Sequence, residues 1–313
     1  MTRCFGVKFW LLVLVAILSV PQLSAEARSD YRSVSGVLPD GRIAWRAWTG
    51  AEGHRLLVVD PVTFVVAVVT GSESELSPRN EGTTPWDLWR AAAARHREGV
   101  QNAGIRRAVP PRTGAWLTFD LCPSERPLDR SVLADLEKDA APLPVFLEIS
   151  GRWMATHPAD VSWLISERNV GRLAITWVNH TENHSYKPGV PLDHNFLLLR
   201  GTDLKTEIFT VEQRLLDRGE LPSVFFRFPG LVSSAELIDR VLAFGLLPLG
   251  SSAWLAKQQN VKSGSLVLTH ANGNEPIGEA LLEEWDHGHR PDLAEGTWHW
   301  LGLADWAKAL PTP

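Results

Sequence analysis

From about residue 113 onward, short apolar runs alternate with longer stretches of helical spacing. Residues 115–120, 144–149, 173–178, 223–227, 246–249 and 265–270 predict strands, with a further short one at 298–300. Residues 128–139, 158–168, 203–218, 234–244 and 277–285 predict amphipathic helices between or after them. Strands that alternate with helices imply parallel pairing through crossover helices. About seven such units make a distorted (β/α) barrel the expected fold class, α/β throughout.

Before that point the pattern differs. Residues 55–61 and 63–70 read as two β-rich runs about a Pro-centred turn, followed by a polar loop over 71–84. Residues 85–101 have helical spacing that puts Trp86, Trp89, Ala92 and Ala93 on one side. Pro110-Pro111 then breaks the chain. The expected organisation is therefore a segment to residue 27, an N-terminal β-containing extension over 28–112, and a barrel over 113–313.

The first 27 residues look like an export signal. Arg3 and Lys8 precede an apolar run over residues 9–20, and Ala25-x-Ala27 offers a cleavage pattern. Twelve residues are too few to span a bilayer, which takes ~20. The expectation is an exported protein, periplasmic or extracellular, with no stable membrane insertion once the signal is removed. Cys4 lies before the apolar run, so Cys122 is then the only thiol.

Composition narrows the function. The formal charge is −5, without the basic footprint of a nucleic-acid binder, so no nucleic-acid partner is expected. Two cysteines exclude a disulfide framework or a four-cysteine zinc site. Fourteen tryptophans against two tyrosines stand out. Such rings serve as core filler or as platforms for sugar faces, and filler is the default.

In a parallel barrel, reactive side chains gather at the C-terminal ends of the strands. Four such ends are polar here: Asp120, the run Asn179 to His184, Arg227 to Gly230, and Thr269 to Asn272. His180 and His184, four apart, would face one way if a helical turn followed the strand, and together could hold a divalent metal.

Thr118-Phe119-Asp120, His180-Thr181-x-x-His184, Arg227-Phe228-Pro229-Gly230 and Leu266 to His270, in that order, resemble the motifs of polysaccharide deacetylases, the metal-dependent carbohydrate esterases that include chitooligosaccharide deacetylases. The resemblance runs from about residue 116 to 306. It implies hydrolysis of acetyl groups on an acetylated glycan, with the N-acetyl of an amino sugar favoured, and a divalent metal, usually zinc. By the same resemblance His180 and His184 are metal ligands, Asp120 is the base or a third ligand, His270 protonates the leaving group and Arg227 orients the base. Pro229 and Gly230 would help bind the substrate oxyanion, and Trp254, near a later motif, is a candidate sugar platform.

Two departures from that pattern matter. Leu121 stands where a metal-binding aspartate is expected. Cys122 shares a face with Asp120 on an extended strand and is either a soft ligand or, the plainer reading, a buried inert thiol. No acid lies near Ser251 to Trp254, where a carboxylate should tune His270. A degenerate homologue that binds envelope glycan without turnover is thus the rival reading. Asp286-His287-Gly288-His289 reads as a solvated turn ending a helix before Pro291, Trp298-His299-Trp300 as packing, and Asp203 with Glu207 as an exposed helical face.

Overall fold

The computed structural model describes residues 28–312, apart from positions 81, 97, 98 and 139. The expected export segment, residues 1–27, lies outside the described residues. Among these, no helix is long and apolar enough to cross a membrane.

Strands β1 (Ser29–Val37), β2 (Ile43–Gly50), β3 (Gly53–Val59) and β4 (Val66–Thr70) form an antiparallel sheet in chain order. Two of these, β1 and β2, lie ahead of the pair that the sequence predicted. A helix over Pro85–Arg95 follows, capped by Thr84, whose hydroxyl accepts the Asp87 N–H. Next come β5 (Ala108–Val109), β6 (Gly114–Leu121), β7 (Leu143–Ile149), β8 (Leu173–Asn179), β9 (Phe225–Phe226), β10 (Leu247–Pro248), β11 (Ala253–Trp254), β12 (Leu266–Thr269), β13 (His299–Trp300) and β14 (Leu310–Pro311). The last pairs antiparallel with β5.

Eight of these strands form one sheet in the order β10-β9-β8-β7-β6-β12-β11, with β13 also on β6, and every pairing is parallel. The sheet curls into a half-barrel with helices, consistent with the expected distorted (β/α) barrel. Strand β6 is buried along its whole length because parallel strands are covered on both faces. The segment ahead of β5 runs from the edge strand β10 to the start of β12. Ile105 N–H donates to Pro248 O at 2.9 Å, Gly250 N–H to Ile105 O at 2.7 Å, and Leu266 N–H to Arg106 O at 3.3 Å. Edge groups that would otherwise be unpaired are thus satisfied.

Side chains alternate across β6. Leu117, Phe119 and Leu121 pack with Leu147 and Ile149 beneath the helices, while Trp116, Thr118 and Asp120 take the other face. Toward the start of the strands that face is aromatic. Trp306 stacks on Trp89 at 4.3 Å and meets Trp116 at 5.4 Å and Phe225 at 5.1 Å edge-on. Trp89 belongs to the extension, and Tyr31, Trp45, Trp48, Phe64 and Trp86 join the same core. Truncating a ring so placed costs about 3–5 kcal/mol. Most of the described tryptophans are thus filler, and six of them form the core that joins the extension to the barrel.

A buried ion pair adds to that join. The Arg46 guanidinium of β2 donates to both oxygens of Glu212, at 2.6 and 2.7 Å, and to Phe244 O at 2.6 Å. Tyr31 O–H donates to the same carboxylate at 2.9 Å.

Three local expectations change. The helix expected over 277–285 runs from Pro276 to Glu295, with Pro291 inside it. His289 therefore stacks on Trp285 at 4.0 Å and Asp286 is buried, in place of a solvated turn. Asp203 caps the helix Leu204–Leu216, and Glu207 is buried, accepting from Asn183 N–H and Nδ2–H at 2.9 and 2.8 Å. The exposed helical face expected for that pair is absent because the loop after β8 folds onto it.

Candidate active site

The polar end of the barrel interior lies above the aromatic core. Asp120, near the end of β6, is in register with Glu148 of β7, and both are buried. Arg227, fully buried just after β9, donates from Nη1 to Asp120 Oδ1 at 2.9 Å and to Thr118 Oγ1 at 3.0 Å, and from Nη2 to Gly250 O at 3.1 Å. The same Nη2 stands 3.4 Å from Glu148 Oε1. Burial alone would raise the Asp120 carboxyl, but the Arg227 guanidinium opposes it most strongly and the carboxyl stays below the ordinary aspartate range. Burial instead drives Glu148 well above its ordinary range, Arg227 opposing and Asp120 reinforcing. One arginine thus keeps one of two neighbouring acids ionised.

Glu148 carries no role in the sequence reading. Its signal was available: a single acid in an otherwise apolar strand, Pro144-Val145-Phe146-Leu147-Glu148-Ile149.

The expected helical turn from His180 to His184 is absent; a loop takes its place. Thr181 and His184 have φ of 70° and 46°. Asn179 Oδ1 accepts the Thr181 N–H at 3.0 Å and Thr181 Oγ1 accepts the His184 N–H at 3.2 Å. These side-chain bonds substitute for helical ones and still bring the two imidazoles to 4.7 Å, edge to face. His180 is fully buried. Its Nδ1–H donates to Arg227 O at 2.9 Å, which fixes the tautomer and leaves Nε2 as an acceptor. Burial, partly opposed by Asp120, pulls His180 down to about 4, so the ring is neutral near pH 7. Its Nε2 stands 3.4 Å from Cys122 Sγ and 3.7 Å from Asp120 Oδ2.

His184 packs its ring edge-on against Phe196 at 5.7 Å, and its buried Nε2 has no hydrogen-bond partner. Phe196 owes its place to Gly230, where a Cβ would lie 2.6 Å from the ring. Pro229 and Gly230 form the short turn Pro229–Leu231 that supports this wall. The donor atoms of Cys122, His180 and His184 all lie within 4.8 Å of one another, as do those of Asp120, Cys122 and His270. Two imidazoles beside a thiol and a carboxylate suit a borderline divalent ion such as zinc.

His270, at the end of β12, is buried, with Nδ1 3.1 Å from Glu275 Oε2. Trp254 Nε1–H donates to that same oxygen at 2.8 Å, and Lys257 Nζ sits 3.5 Å over the Trp254 ring. Burial acts downward on His270, but Cys122, Glu275 and Asp120 outweigh it and raise the ring well above its ordinary value. For Cys122 burial acts upward, and His184 and His270 overcome it to bring the thiol down to about 7. An acid beside His270 is therefore present, contributed from residue 275 and not from 251–254. Trp254 has its indole N–H engaged by Glu275 and one face under Lys257.

Cys122, His184, His270 and Glu275 line a cleft of about 970 Å³, together with Tyr186 and Arg152. Pro229, Gly230 and Trp254 are not among its lining residues.

No family model matches the chain. Among solved structures, it is similar to a family 4 carbohydrate esterase from Bacillus anthracis, at 20% identity and a TM-score of 0.47, covering 74% of this chain and 97% of that one. A family 4 carbohydrate esterase from Streptomyces lividans in complex with acetate aligns at 17% identity and 0.45, covering 64% and 98%. The chitin deacetylase from the fungal pathogen Colletotrichum lindemuthianum aligns at 14% identity and 0.44, covering 64% and 89%.

Proposed function

We propose that the chain is an exported polysaccharide deacetylase-type hydrolase that removes acetyl groups, N-acetyl in preference, from an acetylated glycan. The observation that carries the reading is the opposite poise of two neighbouring groups. Asp120 is held ionised by Arg227, and His270 is held protonated beside Glu275. Pairs whose surroundings push their pKa values apart mark an acid and a base.

His180 and His184 hold a divalent metal, zinc in our reading. When bound there, such an ion supplies Lewis-acid polarisation of the acetyl carbonyl and lowers the pKa of water. Asp120 takes a proton from the attacking water; Arg227 fixes its Oδ1 side, leaving Oδ2 for that task. His270 delivers its proton to the departing amine nitrogen as the carbon–nitrogen bond breaks, so water and the amide yield acetate and a free amine. Glu275 balances the charge on His270 and limits its rotation. The cleft admits an extended glycan, with Tyr186 exposed at its rim.

The test is acetate release from acetylated chito-oligomers by the purified protein, alongside its metal content. Release that His180→Ala abolishes supports the reading. Stoichiometric glycan binding with neither acetate nor metal, at high protein concentration, overturns it in favour of the non-catalytic binder.

A further inference from the structure

We propose that Cys122 supplies a thiolate as the third protein donor beside His180 and His184, replacing a carboxylate and tuning the centre toward zinc-like rather than oxygen-preferring ions. The inference rests on the reading above and deepens it.

Leu121 is unable to serve: its side chain is buried in the helix-facing core with Leu117 and Phe119. Alternation along the extended chain puts Asp120 and Cys122 on the opposite face. Of those two, Cys122 is the one whose donor atom groups with both imidazoles. Asp120 groups instead with Cys122 and His270, and its Oδ1 is engaged by Arg227. The Sγ to His180 Nε2 distance of 3.4 Å is close to the ~3.6 Å edge of a tetrahedron built from zinc–sulfur and zinc–nitrogen bonds of about 2.3 and 2.05 Å.

The other donors are prepared. His180 has its tautomer fixed by Arg227 O, which leaves Nε2 as an acceptor facing Cys122 Sγ, and His184 Nε2 is buried without a partner. Cys122 is itself anchored, its carbonyl accepting from Asn272 Nδ2–H at 2.7 Å. Cys122 and His184 both border the cleft, which leaves an open side for substrate. Binding forms a metal–sulfur bond and releases the thiol proton to solvent, with no redox change. A thiolate favours zinc, cobalt or cadmium, whereas carboxylates suit magnesium and manganese.

Cobalt(II) loading of the full-length protein tests this without reference to turnover. The wild-type protein is expected to show a sulfur-to-cobalt charge-transfer band in the near ultraviolet at one cobalt per chain. Cys122→Ser loses the band and binds zinc at least about 100-fold more weakly, beyond what outlying partners alone cost. Cys122→Asp binds metal without the band and shifts preference toward manganese. Stoichiometric cobalt that His184→Ala displaces, but with no such band, overturns the thiolate ligand and leaves the deacetylase reading intact. Failure of the wild-type chain to bind any of these ions overturns both.

Discussion

Glu275 Oε2 stands 3.1 Å from His270 Nδ1 and accepts the Trp254 indole N–H at 2.8 Å, so one carboxylate oxygen links a histidine at a strand end to a tryptophan on the neighbouring strand. The pair restores an acid beside His270 that the motif order had left missing.

Removing that charge should move the alkaline limb of the pH profile. The raised folded pKa of His270 means its proton is present at neutral pH and lost as pH rises through that value. Glu275→Gln lowers the pKa, so activity should decline at lower pH than in wild type. The fall in kcat should be about 10-fold, smaller than the 10²–10⁴ cost of deleting an acid outright, and Glu275→Asp should recover part of it. An unmoved alkaline limb would refute the role.

On the other side of the site, Asp120→Asn should cost about 10²–10⁴ in kcat. Arg227→Lys is not a conservative change here, because one guanidinium serves Asp120, Thr118 and Gly250 O at once. Asp120 is depressed by that partner, so weakening it should shift the acid limb to higher pH. Titration of kcat/KM against pH for both variants is the check.

Gly230→Ala should act at a distance. Its φ of 60° strains an alanine, and the added Cβ would lie 2.6 Å from the Phe196 ring that backs His184. A stability loss of more than about 1 kcal/mol is expected, together with weaker metal binding measured by competition with a chromophoric chelator. Full metal affinity in the variant would show that Phe196 does not position His184.

The buried pair joining the extension to the barrel gives a prediction about stability alone. Glu212→Ala strands the Arg46 charge and should cost about 3–5 kcal/mol in urea denaturation. Replacing both partners by apolar residues should recover most of it. A loss below 1 kcal/mol in the single variant would mean the Arg46 charge finds water.

The sequence by itself determined the alternation of strands and helices, and with it the parallel sheet. It also determined which strand ends carry Asp120, His180, Arg227 and His270. Those properties follow from local periodicity and from the rule that parallel strands point their C-terminal ends one way. What only the tertiary structure decided depends on approaches between segments distant along the chain. The loop from His180 to His184 is not a helical turn, because Asn179 and Thr181 hydroxyl and amide groups take over its backbone bonds. Glu148 is visible as a lone acid in an apolar strand, yet its sharing of Arg227 with Asp120 needs the register of β6 on β7. Cys122 acquires partners only when segments 58 or more residues away fold onto one end of the barrel, and Glu275 only when the turn beyond β12 does. The extension likewise reads as a separate β-rich stretch, and only packing shows Trp89 and Arg46 completing the core of the barrel it precedes.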